Sequence, residues 1–245
     1  MSNLFEVGGC VRDEILGVHT NDIDFTFVLD DLNQTVEQGF SIMQQFLSDN
    51  NFRIFLETPD CFTIRAMFPQ GHTHEGLVAD FVMARREVGV IPGTRRPILE
   101  LGTLEDDLIR RDFTVNAMAR DLDGNIIDLF NGRQALEDGV LVTPLDPIQT
   151  FMDDPLRMIR ALRFSVTRGF TIAPSVWDAI FTPGLLDRLE EVVSQERIRE
   201  ELTKMFRHDT LQSLRLFARI DQQEPRLLDI IFRGSLHLLP SARLR

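Results

Sequence analysis

The chain has 245 residues, of which 43% are hydrophobic and 26% are charged, a mixture typical of folded globular proteins rather than of disordered chains. No stretch approaches the roughly 18 consecutive apolar residues of a membrane span, and the N-terminus lacks the basic and apolar segments of a signal peptide. The net charge of −12 argues against sequence-independent binding to nucleic acid. With only two cysteines, a disulfide framework is not expected, and a reducing compartment, the cytoplasm, is.

The charge is distributed unevenly along the chain. Residues 1–150 carry 11 basic and 25 acidic residues, whereas residues 151–245 carry 15 and 13. All but one of the 26 basic residues are arginines, whose planar side chains suit bidentate contact with phosphates or base edges. This distribution suits a metal–phosphate site followed by an RNA-binding region, and it equally suits a soluble acidic protein with biased residue usage.

Up to about residue 145, strand patterns alternate with helix patterns. Alternating or clustered apolar residues predict strands at 4–7, 22–28, 52–56, 62–68 and 77–84, with helices at 11–16 and 32–47. The segment from Thr103 to Asp106 resembles a helix-starting capping sequence and predicts a helix that continues through Met118. The Asp123-Gly124 pair predicts a hairpin turn before a strand at 126–130. The first part of the chain is therefore expected to be an α/β domain.

Beyond Pro144 and Pro147 the pattern becomes helical throughout. Apolar residues at helical spacing predict helices at 155–166, 174–181, 196–206 and 211–220. We therefore expect an all-α C-terminal region.

Asp22 and Asp24 lie two positions apart on a predicted strand. Because strand side chains alternate between faces, both carboxylates are expected on one face, opposite the apolar Ile23 and Phe25. Such a pair suits a hard divalent ion such as Mg²⁺, although a solvated strand face would show the same pattern. Asp80, within another apolar run, is a candidate third ligand or else an acid at a strand edge.

A glycine turn precedes this pair. Gly8 and Gly9 would allow backbone amides to approach an anion closely, and Arg12 follows one helical turn later, within reach of the same anion. A turn of this kind ten or so residues before an aspartate pair suggests a phosphate site beside a metal site.

Four segments together resemble the ordered motifs of a known family. They are residues 8–13, 22–25, 110–118 and 153–164, and residues 196–201 resemble the neck-helix motif that follows them. The resemblance, which covers about 200 of the 245 residues, is to the class II tRNA nucleotidyltransferase (CCA-adding enzyme) and bacterial poly(A) polymerase family, within the polymerase β-like superfamily. It implies a polymerase β-like α/β head with a mixed sheet at 1–145, a helical neck for base recognition at 146–206 and a short helical body fragment at 207–245 that could contact RNA.

The resemblance implies roles for individual residues. Asp22 and Asp24 would hold catalytic Mg²⁺ ions, with Asp80 as a further catalytic carboxylate, while an RNA 3′-hydroxyl attacks the α-phosphate of a nucleotide. The residues implied in nucleotide binding are Gly9, Arg12, Arg111, Asp154, Arg157, Arg160 and Arg163. Arg110 and Arg111 could instead be salt-bridged surface residues, and Asn116 is expected to order the arginines.

Asp154 and Arg157 are candidates for base selection. A carboxylate beside a guanidinium offers an acceptor next to donors, which matches the pairing edges of cytosine and adenine and rejects guanine and uracil. Each satisfied bidentate contact is worth about 1–3 kcal/mol of discrimination. Asp154 also reads as a helix cap before Pro155, with Arg157 as its ion-pair partner. The i+3 spacing rotates Arg163 nearly opposite to Asp154, so geometry supports its role less.

Other residues have weaker signals. His72, His74 and His208 are interpreted as solvated surface residues. Arg95 and Arg96 are expected in a mobile loop, where contact with the RNA acceptor end is an alternative. Members of the family usually have longer helical body and tail regions, so a homodimer, a shorter RNA footprint or a truncated chain would each explain the length.

The predicted function is template-independent addition of CMP and AMP, making CCA or part of it, to the 3′ acceptor end of tRNA, with CTP and ATP as substrates. A poly(A) polymerase on the same scaffold and a non-catalytic RNA- or nucleotide-binding protein are the alternatives.

Overall fold

The computed structural model describes residues 2–90 and 97–233, and the chain divides into two compact units, Met1–Arg133 and Gln134–Arg245. The predicted loop with Arg95 and Arg96 lies outside the described residues. So does the last part of the predicted body fragment, residues 234–245. The domain boundaries expected at residues 145 and 206 stay predictions.

The first unit is built on a seven-stranded mixed sheet with strand order β3-β4-β5-β2-β1-β8-β9, and β6 and β7 form a separate two-stranded ribbon. The strands are β1 Ser2–Val7, β2 Ile23–Leu29, β3 Arg53–Thr58, β4 Thr63–Met67, β5 Val78–Met83, β6 Arg85–Val90, β7 Pro97–Leu101, β8 Met118–Arg120 and β9 Ile126–Asp128. All neighbours in the sheet are antiparallel except β2 and β5, which run parallel. The expected mixed sheet with helices is confirmed.

Aromatic side chains from the central strands form the core of this unit. Phe25 on β2 and Phe81 on β5 stack with their ring centroids 5.1 Å apart, and both are almost completely buried. Phe27 on the same face of β2 is also fully buried. The period-two alternation in the sequence therefore marks this core face correctly, and the polar positions between these residues face away from it.

Three helices belong to the first unit alone: α1 Gly9–Ile15, α2 Val36–Asp49 and α3 Leu104–Ile109. The helix predicted from residue 32 begins four residues later, because Thr35 and Gln38 form a reciprocal capping box that sets its first turn. Gly39 allows α2 to lie close to the core, since a Cβ at that position would come within 2.7 Å of side-chain atoms of Leu101 and Met83.

The helix predicted through Met118 is wrong, because α3 ends at Ile109. Its predicted capping sequence is correct: Thr103 and Asp106 form a capping box. Beyond the helix, Asp112 accepts hydrogen bonds from the backbone N–H of Phe113 at 2.8 Å and from the side chain of Asn116 at 2.8 Å. These local bonds compete with helical ones, and the chain then enters β8 to pair with β1.

The second unit is helical, as expected, except for a short parallel pair formed by β10 Val140–Leu141 and β11 Thr171–Ile172. Its helices are α4 Gly132–Glu137, which begins in the first unit, α5 Pro147–Asp153, α6 Leu156–Thr167, α7 Pro174–Ile180, α8 Pro183–Val192, α9 Gln195–His208, α10 Thr210–Gln223 and α11 Pro225–Ile231. Among the described residues, no helix combines the length and the apolar character needed to cross a membrane.

Candidate functional site

The strand register brings Asp24, Asp80 and the Gly8–Gly9 turn close together in the first unit. Asp24 is the register partner of Val7 on β1 and of Asp80 on β5. Because β1 ends at Val7, the Gly8–Gly9 turn begins next to Asp24. Asp22 is exposed and lies just before β2, so the strand begins one residue later than the sequence predicts. The glycine turn and the three carboxylates thus lie around the central strands.

The surroundings of Asp24 disfavour the ionised form of its carboxylate. Its pKa is raised, first by burial and then by the negative charges of Asp22 and Asp80, while the charges of Arg111 and Arg65 lower it less. The positive charges of Arg111 and Arg65 therefore do not balance the negative charge around Asp24. A bound cation would balance it.

Asp80 is held by an arginine that the sequence did not single out. Arg65 on β4 is its register partner and binds it with both ends of the guanidinium, Nε to Oδ1 at 2.7 Å and Nη2 to Oδ2 at 2.6 Å. Opposite charges directly across an antiparallel pair stabilise each other in this way. Asp80 therefore lies beside Asp24, as a third ligand requires, and also makes the ion pair expected of a strand-edge acid.

The donor set fits a hard divalent cation. Asp22 and Asp24 supply carboxylate oxygens, the ligands such ions prefer, and two protein carboxylates suit an ion that keeps water and substrate oxygens in its other positions. Within residues 2–90 and 97–233, no group of three or more His, Cys, Asp or Glu side chains is spaced to hold a metal ion. The fit therefore rests on Asp22 and Asp24, with Asp80 contributing charge.

The Gly8–Gly9 turn lies close against the side chain of Arg111. Gly8 has φ of 82°, a conformation that favours glycine, and a Cβ there would come within 2.6 Å of Nη1 of Arg111. Only glycine therefore lets the Arg111 guanidinium lie against the turn.

Arg111 is anchored by a buried acid. It forms an ion pair with Asp107 at 2.8 Å, and the Thr26 hydroxyl donates to the same carboxylate oxygen at 2.9 Å. Burial alone would raise the pKa of Asp107, but the charge and hydrogen bonds of Arg111 and the Thr26 hydrogen bond lower it. The salt-bridge interpretation of Arg111 is confirmed. Its side chain keeps 22% of its surface exposed beside the turn, which leaves it access to an anion. Arg110 donates to the backbone carbonyl of Arg85 at 3.4 Å.

Arg12 is more deeply buried than the sequence suggested. Its Nε donates to Asp13 at 2.9 Å and its Nη1 to the side-chain oxygen of Asn116, and only 7% of its side chain is exposed. Asn116 orders this arginine, as expected, and is itself held by Asp112. The role of Arg12 in contacting a triphosphate stays a prediction.

In the second unit, Asp154 connects two helices. Its Oδ1 accepts from the backbone N–H of Leu156 at 3.1 Å, so the carboxylate caps the first turn of α6 although Pro155, and not Asp154, directly precedes the helix, and its Oδ2 pairs with Arg197 of α9 at 2.9 Å. Arg197, rather than Arg157, is therefore the guanidinium that the structure places on this carboxylate oxygen. Arg157 donates to the backbone carbonyl of Thr150 at 3.1 Å.

Arg160 and Arg163 converge on a buried acid. Glu201 of α9 is 4% exposed and accepts from Arg163 Nε, while Arg160 Nη1 lies 3.6 Å away from its other oxygen. The Arg163 guanidinium also lies over the Phe164 ring, 4.0 Å from its centroid. Sequence reasoning missed Glu201 as an organising residue, because it reads as one of many charges on a polar helix. Its position between Ile198 and Leu202 on the apolar face is the one available signal.

The interpretation of His74 as a solvated surface residue is wrong. Its Nε2 lies 3.1 Å from a carboxylate oxygen of Glu6, and only 26% of its side chain is exposed. The fold accounts for this, since the loop before β5 returns the side chain to the sheet at β1. His72 stacks on Phe68 with centroids 4.6 Å apart.

Comparisons with known proteins show which proteins this chain is similar to. Residues 4–142 match the family model described as the poly(A) polymerase head domain. A tRNA nucleotidyltransferase of Schizosaccharomyces pombe is 35% identical over 212 residues, covering 82% of this chain and 42% of that protein. Nucleotidyltransferases of this kind generally use a divalent metal.

Solved structures share the fold. The CCA-adding enzyme of Bacillus stearothermophilus in complex with CTP matches with a TM-score of 0.69 and 28% identity, over 89% of this chain and 48% of that one. A tRNA nucleotidyltransferase complexed with a primer tRNA and an incoming ATP analogue matches with a TM-score of 0.68 and 28% identity, over 95% of this chain and 60% of that one. The chain spans between 35% and 46% of the length of the curated relatives compared.

Proposed function

Since the chain belongs to the class II tRNA nucleotidyltransferase and bacterial poly(A) polymerase family, we propose that it is a template-independent nucleotidyltransferase. It adds CMP and AMP, from CTP and ATP, to the 3′ acceptor end of tRNA and makes CCA or part of it. The similar proteins solved with CTP, and with a primer tRNA and an ATP analogue, support these substrates. A location in the cytoplasm stays a prediction.

The observation that carries the proposal is the arrangement of carboxylates at β2: Asp24 lies beside Asp80 across the parallel pair of β2 and β5, Asp22 directly precedes β2, and the Gly8–Gly9 turn begins next to Asp24. Burial and the charges of Asp22 and Asp80 raise the pKa of Asp24, so a cation beside it would favour the ionised form. We propose Mg²⁺ as that cation, held by Asp22 and Asp24. Held by Asp22 and Asp24, such ions would supply the charge stabilisation that lowers the pKa of an attacking hydroxyl and offsets the charge of a leaving group.

The reaction exchanges one bond to phosphorus for another. The RNA 3′-oxygen forms a bond to the α-phosphorus of the nucleotide, and the bond from that phosphorus to the bridging oxygen of the β-phosphate breaks, so that pyrophosphate leaves. The Gly8–Gly9 turn and Arg111 face the triphosphate and orient it. Arg111 is suited to this because Asp107 fixes one edge of its guanidinium and leaves part of it exposed.

We propose that residues of the second unit distinguish cytosine and adenine from the other bases. Asp154 and Arg157 would offer an acceptor next to donors to the pairing edge of cytosine or adenine. Asp154 is already bound by Leu156 and Arg197, so we propose that Arg197 takes part by orienting this carboxylate. Roles for Arg160 and Arg163 in nucleotide binding would act through their shared contact with Glu201.

One experiment separates the proposed function from its alternatives. The purified protein is incubated with Mg²⁺, a tRNA that lacks its 3′ terminus, and each labelled nucleotide separately and together. Incorporation of C and then A that ends after at most three residues is expected. Long tails of A alone would indicate a poly(A) polymerase, and no incorporation would indicate a nucleotide- or RNA-binding protein. Asp24→Asn should abolish incorporation, whereas Asp60→Asn, at an exposed acid of the same unit, should not.

A further inference from the structure

The second unit contains a cavity that none of the proposed catalytic steps uses. Its volume is about 500 Å³, and it lies where the end of α6, strand β11, helix α7 and helix α10 meet. Cavities of this size accommodate small organic ligands. All of its lining belongs to the second unit.

The described lining of the cavity carries positive charge. Arg215 and Arg219 are four residues apart on α10, so both project from the same face of the helix into its rim. The described lining contains no acidic residue, and within residues 2–90 and 97–233 neither arginine has a carboxylate within 4.0 Å.

Arg219 lies against the ring of Trp177. Its guanidinium carbon lies 4.1 Å from the ring centroid of Trp177, a cation–π contact. Trp177 is itself fixed, because it is only 9% exposed and its indole N–H donates to Gln223 at 2.9 Å. The guanidinium therefore lies beside the ring at the cavity, and because no carboxylate of the described residues lies within 4.0 Å of it, its N–H groups remain available to the oxygens of an anion.

The rest of the wall suits the uncharged part of a larger ligand. Val166 and Phe170 supply nearly buried apolar surface, and the side chain of Leu216 continues it along α10. The volume is much larger than one phosphate group needs. A phosphate at the two arginines, with a ribose and base against the apolar wall, would use both halves of the cavity.

We propose that this cavity binds one nucleotide unit through its phosphate, supplied either by an RNA strand or by a free mononucleotide. The choice of RNA as a ligand rests on the proposed function, whereas the phosphate chemistry rests on Arg215, Arg219 and Trp177 alone.

The single tryptophan makes the site directly observable. Trp177 is the one tryptophan of a chain that has no tyrosine, so the intrinsic indole fluorescence of the protein reports on this cavity. The Asp24→Asn variant is titrated with a short single-stranded RNA, with CMP and with inorganic phosphate, so that no turnover occurs. A saturable change in emission is expected. Tighter binding of the RNA identifies a strand as the source, and equal binding of CMP identifies a free nucleotide.

Substitutions then assign the signal to the arginines. Arg215→Gln and Arg219→Gln should each weaken binding about tenfold, as expected when a charge-assisted hydrogen bond to the ligand is removed. For RNA, the slope of log affinity against log salt should fall by about 0.7 for each phosphate that the variant no longer neutralises. Arg207→Gln, at an exposed arginine of α9 outside the lining, is the matched control. Thermal melts establish that the variants are folded.

The proposal is overturned if none of the three probes changes the emission, or if the response persists in the double variant Arg215→Gln/Arg219→Gln. Equal weakening in Arg207→Gln would overturn it as well. These results are independent of nucleotide incorporation. A protein that adds C and A normally but shows no emission change would refute this cavity alone, and a protein that binds RNA here without incorporation would refute the proposed function alone.

Discussion

Asp24 and Asp80 are register partners on two neighbouring parallel strands, the one parallel pair of the described seven-stranded sheet. Parallel pairing sets the two carboxylates side by side, and the adjacent Asp22 adds a third negative charge to the environment of Asp24. The sheet therefore holds a local concentration of negative charge at a cost in stability, which a bound divalent cation would reduce.

Replacing Asp24 should stabilise the protein while it removes activity. The folded-state pKa of Asp24 lies above the ordinary value of 3.8, so folding favours the protonated form. Its contribution to stability is fully present below pH 3.8 and is lost as the pH rises through the raised pKa. At pH 7.5 without divalent ions, Asp24→Asn should therefore melt at a higher temperature than the wild type.

Calorimetry with and without Mg²⁺ checks this. A ligand that binds only the folded state raises its stability, so Mg²⁺ should raise the melting temperature of the wild type and leave that of Asp24→Asn unchanged. Asp60→Asn serves as the control and should respond as the wild type does. A lower melting temperature for Asp24→Asn would contradict the electrostatic argument.

The positive charge of Arg65 should affect how the rate of nucleotide transfer depends on pH. Its positive charge lowers the pKa of Asp24 and partly offsets the effect of Asp80. Removing that charge in Arg65→Met should raise the pKa of Asp24 further, so that the acid limb of the rate profile moves to higher pH. Arg65→Lys should restore most of the wild-type profile. Superimposable profiles for wild type and Arg65→Met would show that Asp24 does not control this limb.

The capping and base-reading roles of Asp154 can be separated. Asparagine caps helices about as well as aspartate, whereas alanine loses about 1 kcal/mol at such a position. Both Asp154→Asn and Asp154→Ala should reduce the preference for CTP and ATP over GTP and UTP by about 10- to 100-fold, the equivalent of 1–3 kcal/mol, and reduce total transfer less. Only the alanine variant should lose thermal stability.

Competition assays with mixed labelled nucleotides measure this preference. The control is Asp153→Asn, at the exposed neighbouring acid. Full preference for CTP and ATP in both Asp154 variants would exclude a role for this carboxylate in base choice and leave it a helix cap.

Glu201 should contribute strongly to the stability of the second unit. It is buried and accepts from Arg163, with Arg160 close by. Removing one partner of a buried ion pair leaves an uncompensated charge and typically costs about 3–5 kcal/mol, so Glu201→Gln should lower the free energy of unfolding by about that amount in urea. Glu200→Gln, at the exposed neighbour, should have little effect. Equal stability of the two variants would contradict the structural importance of this pair.

The sequence predicts the parts of the site that are local in the chain. The alternation around Asp24 and the glycine turn before it are visible without structure, because strand periodicity and glycine conformation act over a few residues. The partnership of Asp24 with Asp80 is not visible, because it depends on the register between strands more than 50 residues apart. The contact of Arg65 with Asp80 follows from the same register.

The second unit shows where local patterns mislead. Spacing on α6 makes Arg157 the natural partner of Asp154, yet packing of α6 against α9 brings Arg197 to that carboxylate. The same packing buries Glu201 among arginines. Helix–helix packing decides both contacts, and the pattern within one helix contains no information about the residues of the next.

Gly8→Ala should disturb phosphate orientation in addition to stability, because Gly8 combines a φ of 82° with a ψ of −129°, a conformation that is costly for any residue but glycine. The added methyl group would lie 2.6 Å from Nη1 of Arg111, so the guanidinium must move away from the turn. A displacement of about 1 Å at a positioning group reduces transfer by about 100-fold. Gly17→Ala is the matched control, because Gly17 has a positive φ of 69° but no atom within 4 Å of the new methyl group. It should show only conformational strain of about 1–2 kcal/mol and near-normal transfer. Steady-state kinetics with CTP, together with thermal melts, compare the two variants. If both lose the same small fraction of activity, the contact between the glycine turn and Arg111 does not position the triphosphate.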